Sequence, residues 1–258
     1  MEFFIQDFWI YVLLIFVGFI ISIINTLAGG ASILTLPILI FLGLPANVAN
    51  GTNRLAIMTT AVFASLGFKS KGIKNLPFNL YLGISALIGS IIGARIAVDI
   101  DDGLFKKILS IVILIVITFM VIKPKIINSK SLLINNINIK GNKLLVNIIF
   151  FFLFGIYGGF INAGIGFVII FFLHLYNQIN LVNVNAIKVV VVSIYTAGAI
   201  LVFYINDLIN YEYGLCLAVG SAFGGWYSSR LSVKKGEGFV RVFLVIVAIL
   251  FSIKLWLF

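Results

Sequence analysis

Residues 18–30 read GFIISIINTLAGG and residues 155–167 read GIYGGFINAGIGF. Gly18, Asn25 and Gly29 recur as Gly155, Asn162 and Gly166, each displaced by 137 positions. Further along, the displacement is 135. Ser90, Arg95, Val98 and Gly103 fall opposite Gly225, Arg230, Val233 and Gly238, and Asp102 and Lys106 fall opposite Glu237 and Arg241. The chain states one pattern twice. Apolar segments interrupted by Gly and Asn at corresponding places in two halves point to a secondary transporter with its site at the repeat interface.

Composition sets the surroundings. The 258 residues are 62% hydrophobic and 10% charged, against about 25% charged in a soluble domain. Apolar runs of about 17–25 residues recur, long enough to cross a bilayer as helices. The fold class read from this is an all-α polytopic membrane protein of two inverted-topology repeats. Each repeat is a broken or re-entrant helical hairpin plus three spanning helices. The formal net charge of +10 lies in short loops, where topology requires lysine, so nucleic acid is not an expected partner. Cys216 is the single cysteine, which excludes an intrachain disulfide. Glu2 and Asp7 precede the first apolar run, unlike the basic start of a cleavable signal peptide.

The apolar segments fall at 8–24, 31–44, 48–68, 77–98, 103–122, 144–162, 165–177, 183–204, 212–233 and 238–258. Two of them, 31–44 and 165–177, give only about 20 Å of helix for a core about 30 Å thick. Each follows a Gly/Asn-rich interruption and is expected to form a hairpin whose tip lies within the membrane. Residues 1–122 are read as the first repeat, 123–143 as a cytoplasmic connector and 144–258 as the second repeat. With each hairpin counted as an even number of passes, one side receives Lys69, Lys71, Lys74, Lys123, Lys125, Lys130, Lys140, Lys143, Lys234 and Lys235. The other receives Glu2, Asp7, Asp99, Asp101, Asp102, Asp207 and Glu212, with only Lys106 and Lys107 among loop-edge lysines. Lysine bias orients spans, so both termini are expected outside.

A short helix that begins inside the membrane leaves its first N–H groups unpaired and presents the positive end of its dipole. An anion would satisfy both, and Gly29, Gly30, Gly164 and Gly166 would let it approach the backbone. Asn25, Thr26, Ser32, Asn53 and Asn162 add polar side chains. The alternative role of these glycines is close helix packing. Arg54 and Lys188 lie about two turns into corresponding spans, with no carboxylate in those spans to pair with. They are read as fixed charges facing a substrate anion, the alternative being snorkelling to the interface. His174 is the only histidine and a candidate for proton coupling, or else a packed side chain. Arg95 and Arg230 sit at span ends, as interfacial anchors do. No nucleophile–base pair, carboxylate pair or metal-ligand set occurs in the spans, and no phosphate-binding Gly-Lys-Ser/Thr loop. Neither an enzyme nor a metal or cofactor is expected.

Asn25-Thr-Leu-Ala-Gly-Gly-Ala-Ser, then Leu36-Pro-Ile-Leu and Gly51-Thr-Asn-Arg, resembles the first-repeat signature of the TauE/SafE sulfite exporter family. Gly155-Ile-Tyr-Gly-Gly-Phe-Ile-Asn-Ala-Gly-Ile-Gly-Phe, then Asn185-Ala-Ile-Lys-Val, resembles its second-repeat signature. The resemblance covers essentially the whole chain. It implies a permease of the bacterial inner membrane, associated with sulfite, sulfonates and related sulfur-containing organic anions. The chain departs from the family in a shorter glycine run at Gly29-Gly30-Ala31-Ser32. It also has Gly159 and Ala163 where an acidic residue or proline can occur. The expected partners are a small anion and the lipid bilayer, with a homodimer as a candidate assembly. A passive anion channel and a non-transporting membrane scaffold are the competing readings.

Overall fold

The structure, a computed structural model, describes residues 2–30, 32–73, 76–122 and 139–257. Most of the expected connector, with Lys123, Lys125 and Lys130, lies outside the described residues, as does Lys74. The described residues form helices joined by short turns, without strands. In chain order the helices are α1 (Glu2–Leu27), α2 (Ser32–Phe41), α3 (Ala46–Lys69), α4 (Leu76–Asp99) and α5 (Asp102–Ile122). They continue with α6 (Asn142–Phe160), α7 (Ile165–Asn177), α8 (Leu181–Ile205) and α9 (Tyr211–Leu257). Gly236, at φ 76° and ψ −172°, breaks α9, so its first stretch, 211–235, behaves as a separate helix.

Among the described residues four stretches are long and apolar enough to cross a membrane: Phe8–Leu27, Pro77–Asp99, Asn142–Phe160 and Leu181–Ile205. The outer surface carries large apolar side chains, with Phe16 60% and Phe223 68% exposed. Water would not tolerate so extensive an apolar exterior; lipid does. The protein is an α-helical membrane protein. α2 and α7 are the short helices, of 10 and 13 residues.

Glycines set which helices touch. A Cβ on Gly220 would meet the Ile15 carbonyl, and one on Gly224 the Phe19 carbonyl. α1 therefore runs in the same direction as the first stretch of α9, backbone against backbone. α6 runs alongside α4 in the same manner: Ser85 Oγ donates to Ile148 O at 2.6 Å, and Gly89 and Gly93 abut Phe152 and Ile156. α3 also runs with α9, through Leu55 against Gly214 and Gly67 against Ser229. α4 runs with α8, through Gly83 against Ile194 and Leu87 against Gly198. α3 and α8 oppose one another, since Gly51 meets Phe203 while Ala64 and Phe68 cluster with Ala186 and Val189. Each half thus packs its first helix on the other half. Small residues that let backbones approach are the usual means of association where lipid removes the hydrophobic drive.

The contacts of the two halves also pair them in a register other than the one expected from the sequence. Phe19–Gly224 corresponds to Phe152–Gly89, a displacement of 133 for the first helix and 135 for the later one. The first helices end at Leu27 and Phe160, again 133 apart. The displacement of 137 read from Gly18, Asn25 and Gly29 is one turn too long. A shift of four residues keeps the same helix face, so residue identities alone do not separate the two registers.

Candidate functional site

α1 stops at Leu27 and α6 at Phe160, leaving the last carbonyls of each helix without intrahelical partners. Gly29 (φ 83°) and Asn162 (φ 63°), equivalent positions, take left-handed backbone and turn the chain toward α2 and α7. Asparagine is one of the few non-glycine residues that adopts this conformation. Gly30 (φ 86°) and Gly164 (φ 77°) complete the two turns. Ile33 N then donates to Gly30 O, and Phe167 N to Gly164 O, each at 3.0 Å.

The two turns meet. A Cβ on Gly29 would fall 2.4 Å from the Gly166 carbonyl carbon. Gly30 faces the Phe167 ring and Gly164. Asn162 Nδ2 donates to Ser32 Oγ at 3.3 Å, and Tyr195 Oη donates to Asn162 Oδ1 at 2.6 Å. The first turns of α2 and α7 therefore converge in the protein interior.

Each helix end is capped from the opposite half. Lys188 Nζ donates to Asn25 O at 2.8 Å, Thr26 O at 2.9 Å and Asn185 Oδ1 at 2.9 Å. Asn185 Nδ2 adds a bond to Leu27 O at 3.1 Å. At the other end Arg54 donates to Gly158 O, and to Gly159 O at 2.7 Å. It also donates to Asn50 Oδ1 at 3.0 Å, while Asn50 Nδ2 donates to Phe160 O at 2.7 Å. The arrangement is the same at both ends: an Asn and a cation on one long helix close the last turn of the other half's broken helix. A cation at the negative end of a helix dipole is favourable, and a charged donor makes stronger hydrogen bonds than a neutral one. Neither cation snorkels, since Arg54 is fully buried and Lys188 is 2% exposed. Arg54 also lies over the Phe203 ring, 5.5 Å from its centroid.

A small cavity lies at the junction, lined by Asn25, Thr60, Asn162, Gly166, Lys188 and Tyr195 with apolar residues of α3, α7 and α8. Its volume is about 10 Å³, the room of roughly one water. Among the described residues Lys188 is the one charged residue that lines it, and no carboxylate does. Thr26 Oγ1, Asn53 Nδ2 and Arg54 Nε are buried without hydrogen-bond partners. His174 stands apart from the tips. It is nine residues beyond Ile165 along α7, about 14 Å, with Nδ1 2.8 Å from Ile179 O. Among the described residues no group of three or more His, Cys, Asp or Glu could hold a metal ion.

Of the residues expected at the site, Asn25, Asn162, Gly166 and Lys188 share the cavity, and Thr26, Gly29, Gly30, Ser32 and Gly164 form its immediate surround. The structure adds Tyr195, Thr60, Asn50 and Asn185. Tyr195 lies seven residues after Lys188 and Asn50 four before Arg54, spacings that place each pair on one helix face.

The chain is a membrane transporter, with a buried, cation-bearing junction of broken helices inside its lipid-facing bundle. The description "Sulfite exporter TauE/SafE" belongs to the family profile that matches residues 14–255, and the chain belongs to this family. It is 27% identical over 239 residues to a "Probable membrane transporter protein" of Haemophilus influenzae, covering 93% of this chain and 91% of that one. It is 24% identical to "Probable membrane transporter protein ORF9" of Sinorhizobium sp, covering 92% and 89%. It is 25% identical to "Probable membrane transporter protein YfcA" of Escherichia coli K12, covering 94% and 88%. No solved structure gives a significant match.

Proposed function

We propose that the protein is a secondary carrier for a small anion: sulfite, a sulfonate or a related sulfur-containing organic anion. The ligand binds where the tips of the two broken helices meet, and one half moves against the other to alternate its access. The observation that carries this reading is the reciprocal capping of Asn25–Leu27 by Lys188 and Asn185, and of Gly158–Phe160 by Arg54 and Asn50.

The caps neutralise the electronegative helix ends, leaving the electropositive first turns of α2 and α7 to dominate the junction. All three Lys188 N–H donors are taken by protein oxygens, so in this conformation the ammonium acts on an anion through its field. Direct donors come from the backbone around Gly166, which lines the cavity; Asn53 and Arg54 lie outside that lining. The family supplies the sulfur-anion class; the carboxylate-free cavity independently favours a negative ligand. A cavity of about 10 Å³ holds roughly one water, so an anion enters only when the two halves move apart. A scaffold would have no use for two buried cations exchanged between halves.

The helix directions support inverted-topology repeats: α1 and α3 run against their counterparts α6 and α8. With the lysine bias, we read both termini as outside the bacterial inner membrane, and His174, remote from the tips, as a candidate for proton coupling. Expelling an anion from a cell negative inside is downhill by about 2.3 kcal/mol per charge per 100 mV. Export therefore runs without a coupled ion, whereas import needs one.

The test is a thermal-shift screen of purified protein against sulfite, thiosulfate, sulfonates, sulfoacetate and small carboxylates at mM concentration, at matched ionic strength. Selective stabilisation by sulfur anions is expected, because a ligand of the folded state raises apparent stability. Equal shifts from all anions, or none, would contradict the substrate class.

A further inference from the structure

A second anion-attracting feature lies far from the junction, on the lipid-facing side of α3 and α9. Lys71, Arg230 and Lys234 surround an open basin of about 400 Å³, completed by Trp226, Tyr227 and Leu231. Among the described residues it is lined by three cations and no carboxylate. Directly beside it, an apolar groove of about 480 Å³ runs between the same helices, lined by Phe63, Leu66, Val219 and Phe223. Trp226 belongs to both. On α9 the residues from Val219 to Lys234 follow one helix face over about 22 Å, apolar in the first half and basic in the second. Arg230 stacks over the Trp226 ring, 5.2 Å from its centroid, at the boundary where tryptophan marks the membrane–water interface.

The other half has a corresponding crevice between α4 and α8, lined by Arg95, Asp99, Val202 and Asn206. There one arginine is balanced by one aspartate, and the volume is about 190 Å³. The two crevices lie at opposite ends of the bundle, since α3 and α9 run against α4 and α8. Only the one at the lysine-rich end is large and basic. Anionic lipids give the cytoplasmic leaflet its negative surface potential, and basic pockets between spans bind their headgroups.

We propose that the α3–α9 crevice binds an anionic phospholipid, with its phosphate among Lys71, Arg230 and Lys234 and an acyl chain along Phe63, Leu66, Val219 and Phe223. The guanidinium of Arg230, held flat by Trp226, offers the paired donors that phosphate accepts. A bound lipid seals the line along which α3 meets α9. The proposal stands on the paired basin and groove alone and needs no assumption about the transported anion.

The experiment is native mass spectrometry of the full chain released from nanodiscs. Phosphatidylglycerol competes there with phosphatidylcholine of identical acyl chains. The wild type is expected to retain phosphatidylglycerol preferentially. R230Q/K234Q, which alters two exposed side chains, is expected to weaken that retention about 25-fold, roughly fivefold for each cation. Equal retention of the two lipids by the wild type would overturn the proposal, whatever the stability of the variant. Inorganic phosphate displacing the lipid at mM concentration would also overturn it, since the acyl groove would then contribute nothing. So would a dimer lost in R230Q/K234Q without any lipid preference, which would assign the groove to a second copy of the chain.

Discussion

Gly29 and Gly166 touch backbone to backbone: a Cβ on Gly166 would lie 2.6 Å from the Gly29 α-carbon, and one on Gly29 only 2.4 Å from the Gly166 carbonyl carbon. No side chain fits between the tips, and the halves meet through their main chains. Gly29 carries the further demand of φ +83°. Gly29→Ala therefore combines left-handed strain with overpacking and is expected to cost about 3 kcal/mol or more. Gly43→Ala is the control. Gly43 has φ +92° but open space around it, so only strain of about 1–2 kcal/mol is expected. Thermal unfolding in detergent separates the two.

Lys188→Met removes the cap of α1 while keeping much of the side-chain volume. It leaves the Asn25 and Thr26 carbonyls and Asn185 Oδ1 without their charged donor. A loss of about 2–5 kcal/mol is expected, because unsatisfied buried groups cost about 1–3 kcal/mol each. Arg54→Lys keeps the charge at α6 but not the two-pronged contact with Gly158 and Gly159. It should cost less, about 1.5–3 kcal/mol. A Lys188→Met protein as stable as wild type would remove the capping role.

Tyr195→Phe deletes the hydroxyl bonded to Asn162 Oδ1 at 2.6 Å and leaves a buried amide oxygen short of a donor. About 1–3 kcal/mol of stability should be lost. Because Tyr195 and Asn162 both line the cavity, ligand-induced stabilisation should fall as well. A variant that loses stability yet keeps the full ligand shift would confine Tyr195 to a structural role.

At the edge of the bundle, Asp102 accepts a hydrogen bond from Ala46 N and pairs with Lys106 at 2.7 Å, tying the start of α5 to the start of α3. The hydrogen bond from Lys106 holds the Asp102 carboxyl below its usual range, helped by backbone N–H groups and opposed by partial burial. A depressed folded-state pKa means that the contribution is fully present above the unfolded value, about 3.9. It is lost as pH falls through the lower folded value. Wild type should therefore lose melting temperature more steeply than Asp102→Asn below about pH 4. Parallel acid limbs would show that the carboxylate contributes nothing.

Much of the fold was legible because helix, span and interruption all write themselves into hydropathy. The short segments at 31–44 and 165–177 appear as α2 and α7, and the division near 236 as a glycine break in a long helix. Many residues of the candidate junction stand out in the sequence, but their contacts do not. Arg54 and Lys188 stand out in sequence because no carboxylate accompanies them. Their partners are backbone carbonyls of the other half, which no side-chain pattern reveals. Tyr195, Asn50 and Asn185 were not read as site residues for the same reason: each acts through a partner more than 30 residues away. The one-turn error at Gly18 and Asn25 came from helical periodicity itself.

Opposed insertion of the two halves is tested most directly by single-cysteine labelling in a Cys216→Ala background. The variants are Lys71→Cys, Lys234→Cys and Asp207→Cys, probed with a membrane-impermeant thiol reagent on intact and opened cells. Positions 71 and 234 should react only once the cytoplasmic face is opened, and position 207 in intact cells. Labelling of 207 and 71 from the same face would contradict the opposed halves, and the shared junction between their tips would fall with them.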